Sequence, residues 1–96
     1  MFSISVTSKA GETTLHEFDQ TEVTIGRIQG NDIVLPKGNV SKTHARIISH
    51  GSSFVVVDSK STNGTYINGK RITAPYDMGP GDRIFVGDFI LEIQNL

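Results

Sequence analysis

The sequence predicts an all-β domain in which short, mainly antiparallel strands pack as a sandwich or barrel. Three observations carry that expectation. Apolar residues alternate with polar ones or cluster in short β-branched runs, and no stretch has a capped helical period. Turn signals built on glycine, proline, asparagine and aspartate recur at short intervals. Finally, 96 residues with 36% apolar content and ten glycines suit one turn-rich β domain with a modest core.

Phe2 to Thr7 alternates Phe, Ile and Val with Ser and Thr, the period of a half-buried strand. Ala10-Gly11-Glu12 turns the chain, and Thr13 to Phe18 is its hairpin partner. Glu22 to Ile25 is a third strand, with Val23 and Ile25 on one face. Gly26-Arg27 breaks the pattern and Gly30-Asn31-Asp32 turns again. Ile33 to Leu35 is a short strand stopped by Pro36, which has no N–H for a ladder. After the polar loop from Lys37 to Thr43, His44 to Ser49 and Phe54 to Val57 are strands. Thr65 to Ile67 and Lys70 to Ile72 flank Asn68-Gly69, the strongest two-residue hairpin signal in the chain. Pro75 and Gly79-Pro80-Gly81-Asp82 mark loops before the closing strands Arg83 to Val86 and Phe89 to Ile93.

There is no cysteine, hence no disulfide staple and no reason to assign an oxidising compartment. Residues Met1 to Ser5 lack a basic n-region and a long apolar h-region, and no apolar run approaches a membrane span. The expectation is a soluble, cytoplasmic domain without a membrane partner. The formal charge of −1 conceals an asymmetry. From Arg27 to Arg71 there are seven basic residues against Asp32 and Asp58, whereas both flanks are acidic. That excess is too small for a general nucleic-acid binder and fits a local anionic ligand; accidental clustering on a solvated face is the open alternative.

Two apparent active sites dissolve on inspection. Gly64 to Lys70 nearly spells the P-loop G-x-x-x-x-G-K-[ST], but Arg71 replaces the metal-binding hydroxyl and no helix follows. Ser41, His44 and Asp58 invite a hydrolase reading, yet no oxyanion hole or strained elbow accompanies them. His16, His44 and His50 have no metal-ligand spacing. Neither an enzyme nor a metal or other cofactor is expected.

Gly26-Arg27, Ser41-x-x-His44, Asp58-x-x-Ser61-Thr62-Asn63-Gly64-Thr65 and Asn68-Gly69 remain. In this order, on loops of a β domain, they resemble the forkhead-associated (FHA) domain, a phosphothreonine-peptide recognition module. The resemblance runs from about Val23 to Ile93. It implies an eleven-stranded β-sandwich whose loops at one end bind ligand, close to the strand count made above.

By the resemblance, Arg27, Ser41, Lys42 and Thr62 form the phosphate site, and Asn63 bonds the peptide backbone beside the phosphothreonine. Gly26 and Gly64 shape the loops, His44 braces the loop bearing Ser41, and Asn68 and Gly69 serve the hairpin, with contact of Asn68 to ligand as the alternative. The chemistry suits the residue types. A phosphothreonine has nearly two negative charges and three acceptor oxygens. Against it stand a guanidinium fork, an ammonium and compact hydroxyls.

The chain departs from some members at Asn39, where an arginine two residues before the serine reads a downstream acid. A neutral amide cannot pair with a carboxylate, so no strong downstream-aspartate preference is expected. Family members also vary at the Lys42 position. The resemblance implies as partner a phosphothreonine-containing protein, a serine/threonine kinase or its substrate. A phospho-independent interaction or oligomerisation domain of the same fold is the alternative. Residues 1–96 are expected to form one domain, an N-terminal module of a longer protein.

Overall fold

A computed structural model describes residues 1–95. These form eleven strands and no helix: β1 (Phe2–Thr7), β2 (Thr13–Phe18), β3 (Glu22–Gly26), β4 (Ile33–Val34), β5 (Ala45–His50), β6 (Ser53–Asp58), β7 (Thr65–Ile67), β8 (Lys70–Arg71), β9 (Tyr76–Asp77), β10 (Ile84–Val86) and β11 (Phe89–Asn95). Leu96, the last residue of the expected domain span, lies outside the described residues. No helix among them is long and apolar enough to cross a membrane.

The strands build two sheets, ordered β2-β1-β11-β10-β7-β8 and β4-β3-β5-β6-β9. All pairings are antiparallel except β3 with β4. The fold is the mainly antiparallel β-sandwich predicted from the sequence.

Alternation sets which face each strand buries. Across the first sheet the register aligns Val6, Leu91, Ile84 and Ile67, all buried. Across the second it aligns Val23, Ile47 and Val56, each fully buried. These rows face each other as one apolar cluster. A one-residue slip in any strand would turn its apolar set to water, so packing pins the register.

The sequence reading differs from the structure at strand ends and at one strand. Leu35 and Ile72 fall outside β4 and β8, although Leu35 N–H still bonds Gly26 O and Ile72 N–H bonds Thr65 O. His44 and Arg83 precede β5 and β10 rather than opening them. β9 was not legible: two exposed residues after Pro75 are too short to show a period, and only pairing with Val55 and Val56 makes them a strand.

Asn68 and Gly69 both have positive φ, 52° and 89°, the geometry of a type I′ hairpin turn. Asn68 Nδ2 also donates to Asp82 Oδ1 and its Oδ1 accepts from Arg83 N–H. Both groups of that side chain therefore tie the turn to the loop before β10.

The row Ile25, Ala45, Asp58 ends the second sheet at one rim of the sandwich. There β3 runs out into Gly26-Arg27, β5 begins after His44, and β6 gives way to the Ser59–Gly64 loop. Three loops thus leave the rigid sheets side by side.

Candidate functional site

The rim is built outward from Gly26. A Cβ there would collide with the Lys42 carbonyl and the Asn31 side chain, so only glycine lets the β3 exit and the β4–β5 loop lie together. That approach permits Arg27 N–H to donate to Ser41 O at 3.0 Å. Half-buried Arg27 also donates from Nε to Val40 O at 3.0 Å, which orients the guanidinium and leaves its terminal amino groups free of this bond. Asn31 Nδ2 donates to both Ile28 O and Lys42 O at 2.9 Å, closing the same loop from the other side.

His44 joins two loops from within. It is fully buried, and Nδ1 accepts from Ser41 N–H at 3.0 Å. The ring is therefore the neutral tautomer protonated at Nε2, which donates to Gly64 O at 2.9 Å. Both nitrogens are occupied by backbone groups. Ser41 Oγ, for its part, accepts from Thr62 N–H at 3.0 Å and makes no bond to His44. With Asp58 bonded elsewhere, Ser41, His44 and Asp58 form no charge-relay chain.

Asp58 organises the β6–β7 loop. Its Oδ1 accepts from Ser61 Oγ at 2.5 Å and Thr65 Oγ1 at 2.7 Å, and its Oδ2 accepts from Ser61 N–H at 3.1 Å. Ser61 Oγ then accepts from Gly64 N–H at 3.0 Å. Partial burial pushes the Asp58 carboxyl up, but the Ser61 and Thr65 donors outweigh that and hold it below its ordinary value of 3.8. Gly64 sits at φ 88° beneath the Arg71 side chain, a conformation and a contact that a side chain would disturb.

Arg27, Ser41, Lys42, Thr62 and Asn63 are thus brought to one rim. Lys42, Thr62 and Asn63 are exposed there, and Arg27 and Ser41 are half-buried. Thr62 has two donors; its backbone N–H is committed to Ser41, which leaves the hydroxyl. Asn63 Nδ2 donates to Asn39 O at 3.2 Å and so latches the two loops, leaving the carbonyl oxygen of this exposed side chain outside the latch. The Asn39 amide turns inward against Gly87.

The sequence reading gave Asn31 only a turn and Arg71 no role at this rim, and it left the braces from Asp58 unassigned. The Asp58-x-x-Ser61 spacing is a side-chain-to-backbone turn signal and could have exposed one of them. Asn31 and Arg71 act through space, with no local signature.

Comparisons with known proteins bear on this rim. The FHA domain model matches residues 23–87. The transcriptional regulatory protein EmbR of Mycobacterium tuberculosis is 41% identical over 70 residues, spanning 73% of this chain and 18% of EmbR. The structure of Mycobacterium tuberculosis EmbR in complex with a low-affinity phosphopeptide superposes with a TM-score of 0.80 at 31% identity, over 96% of this chain and 24% of that one. The FhaA FHA domain, complexed with the intracellular domain of Rv3910, superposes with a TM-score of 0.82 at 26% identity, over 98% of this chain and all of that one. The chain therefore covers less than a fifth of the EmbR sequence.

Proposed function

The chain belongs to the FHA domain family, and from that premise we propose that it is a phosphothreonine-dependent protein-binding module coupling a serine/threonine kinase's output to assembly of a complex. Residues 1–96 act as one such module, and the phosphorylated partner is the kinase or its substrate. One observation carries the reading: Ser41 Oγ accepts the Thr62 N–H beside an oriented Arg27. Acceptance leaves the Ser41 hydroxyl proton for a phosphate oxygen, and the terminal amino groups of Arg27 supply a fork. Thr62 adds a hydroxyl and Lys42 a mobile positive charge. The exposed Asn63 carbonyl is suited to accept a peptide N–H while its amide keeps the two loops together.

His44, Gly26 and Gly64 hold these groups in place rather than touching ligand, and Asn68 and Gly69 serve the β7–β8 hairpin. The phosphopeptide complex of EmbR supports the assignment by likeness of fold and sequence.

Charge-assisted hydrogen bonds contribute roughly 1.5–3 kcal/mol each. Two or three of them, less the cost of association, give roughly micromolar affinity. Calorimetric titration of matched phosphothreonine, phosphoserine and unphosphorylated peptides tests the reading. The phosphothreonine peptide binds near micromolar. The phosphoserine peptide binds about fourfold more weakly if one buried methyl is the whole difference. Equal binding of all three overturns the proposal and favours a phospho-independent surface.

A further inference from the structure

Three cations have no part in the phosphate site: Lys60 and Arg71 near this rim, and Lys70 one residue further from it along β8. Arg71, exposed on edge strand β8, lays its side chain over Gly64: a Cβ on Gly64 would lie 2.6 Å from Arg71 Nε. Arg71 thereby flanks the loop carrying Thr62 and Asn63, and with the segment that follows it lines two cavities. One, of about 450 Å³, is lined by Lys70, Arg71 and exposed Tyr76 against buried Ile67 and Ile72. The other, of about 560 Å³, has Lys60 together with Arg71 and reaches Asp58.

Asp58 is the one carboxylate lining either cavity, and its oxygens already accept from Ser61 and Thr65. Among the described residues no carboxylate lies within 4.0 Å of the charged groups of Lys60, Lys70 or Arg71. Three cations therefore line concave, mostly apolar space on the Arg71 side of the loop carrying Thr62 and Asn63.

We propose that Arg71, supported by Lys60 and Lys70, reads a second anionic side chain of the bound phosphopeptide. The inference rests on the phosphothreonine reading and adds a specificity determinant to it. An extended peptide advances about 3.3 Å per residue, so a ligand anchored at Ser41 and Thr62 passes Asn63 and reaches Arg71 within a few residues. The guanidinium offers a carboxylate or a second phosphate the same bidentate geometry, while Tyr76 and Ile72 receive the methylenes of a longer side chain. With Asn39 neutral and turned inward, acid recognition passes to the opposite side of the Asn63 loop.

The test compares a phosphothreonine peptide with alanine at all flanking positions against a set in which glutamate, or in a second arm phosphoserine, is moved through those positions. Wild-type protein gains about fivefold in affinity from an acid at one or two positions, the scale of a partly exposed ion pair. Arg71→Gln abolishes that gain and leaves the all-alanine peptide unchanged. Should Arg71→Gln fail to fold, the double variant Lys60→Gln with Lys70→Gln reads the same increment and reduces it.

A gain in the phosphoserine arm alone identifies a second phosphate as the ligand and supports the proposal. Loss of affinity for both peptide sets alike overturns it and makes Arg71 a brace for the loop. An acid that helps at no position overturns it while leaving phosphothreonine binding intact. Failure of wild-type protein to bind the all-alanine phosphothreonine peptide brings down both readings together.

Discussion

At the scale of the single residue, polar groups on the rim serve the protein first and a ligand second. Ser41 is the clearest case, since its oxygen accepts from Thr62 N–H while its proton remains to be donated. Arg27 is anchored by one donor to Val40 O. Arg27→Ala should weaken phosphopeptide binding by about tenfold or more, given the strength of charge-assisted bonds. It should move the denaturation midpoint only slightly, because the side chain is half-exposed. Parallel losses of binding and stability would make Arg27 a structural residue instead.

His44 lies at the other extreme. His44→Ala orphans Ser41 N–H and Gly64 O and opens a cavity in a fully buried position. Urea unfolding should register a loss of about 2–4 kcal/mol.

Asp58 makes the residue scale sensitive to pH. Its folded carboxyl titrates below its ordinary 3.8, so the ionised form is favoured by folding. The stabilisation is present above the ordinary value and is lost as pH falls through the lower, folded one. Asp58→Asn should cost about 1.5–3 kcal/mol at neutral pH, the worth of one hydrogen bond to a charged group. Thermal melts of variant and wild type should converge below about pH 4 as that charge disappears. A gap that persists unchanged in acid would show that the carboxylate charge is irrelevant.

At the scale of elements, the rim depends on how closely loops approach one another. Gly26→Ala places a methyl against the Lys42 carbonyl, a backbone atom that cannot swing aside as a side-chain end can. The loop must shift, at a cost of roughly 1–3 kcal/mol, the usual scale of overpacking. Because Arg27 N–H bonds Ser41 O across the same contact, phosphopeptide affinity should fall although every ligand-facing side chain is retained. Calorimetry beside a denaturation curve separates the two effects. Gly64 differs in kind: its neighbour is the Arg71 side chain, which can move, so its constraint is mainly the positive φ.

At the scale of the whole molecule, charge sign is sorted along the chain and then gathered by the fold. The acidic flanks are spread over β2 and β3, β9, β11 and the loops beside them, whereas Arg27, Lys42, Lys60 and Arg71 lie on or beside the loops of the rim. Phosphopeptide affinity should therefore fall severalfold between about 0.05 and 0.5 M salt, as the Debye length drops below the spacing of these charges. Binding indifferent to salt would assign recognition to hydrogen bonds and packing alone.

What the sequence by itself determined was the all-β class, ten of the eleven strands to within a residue or two, and the loops bearing the rim residues. Alternation and turn chemistry are local, so they are written in neighbouring residues such as Phe2 to Thr7 and Asn68-Gly69. The resemblance added the set Arg27, Ser41, Lys42, Thr62 and Asn63. Tertiary structure alone decided which bonds those residues already make. That Thr62 N–H is committed to Ser41, that both His44 nitrogens are engaged, and that Arg71 covers Gly64 are facts about residues distant in sequence. So is β9, whose two residues become a strand only because β6 offers an open edge. Local periodicity encodes how a segment folds. Which donor meets which acceptor is settled only when the two sheets close and bring the loops to one rim.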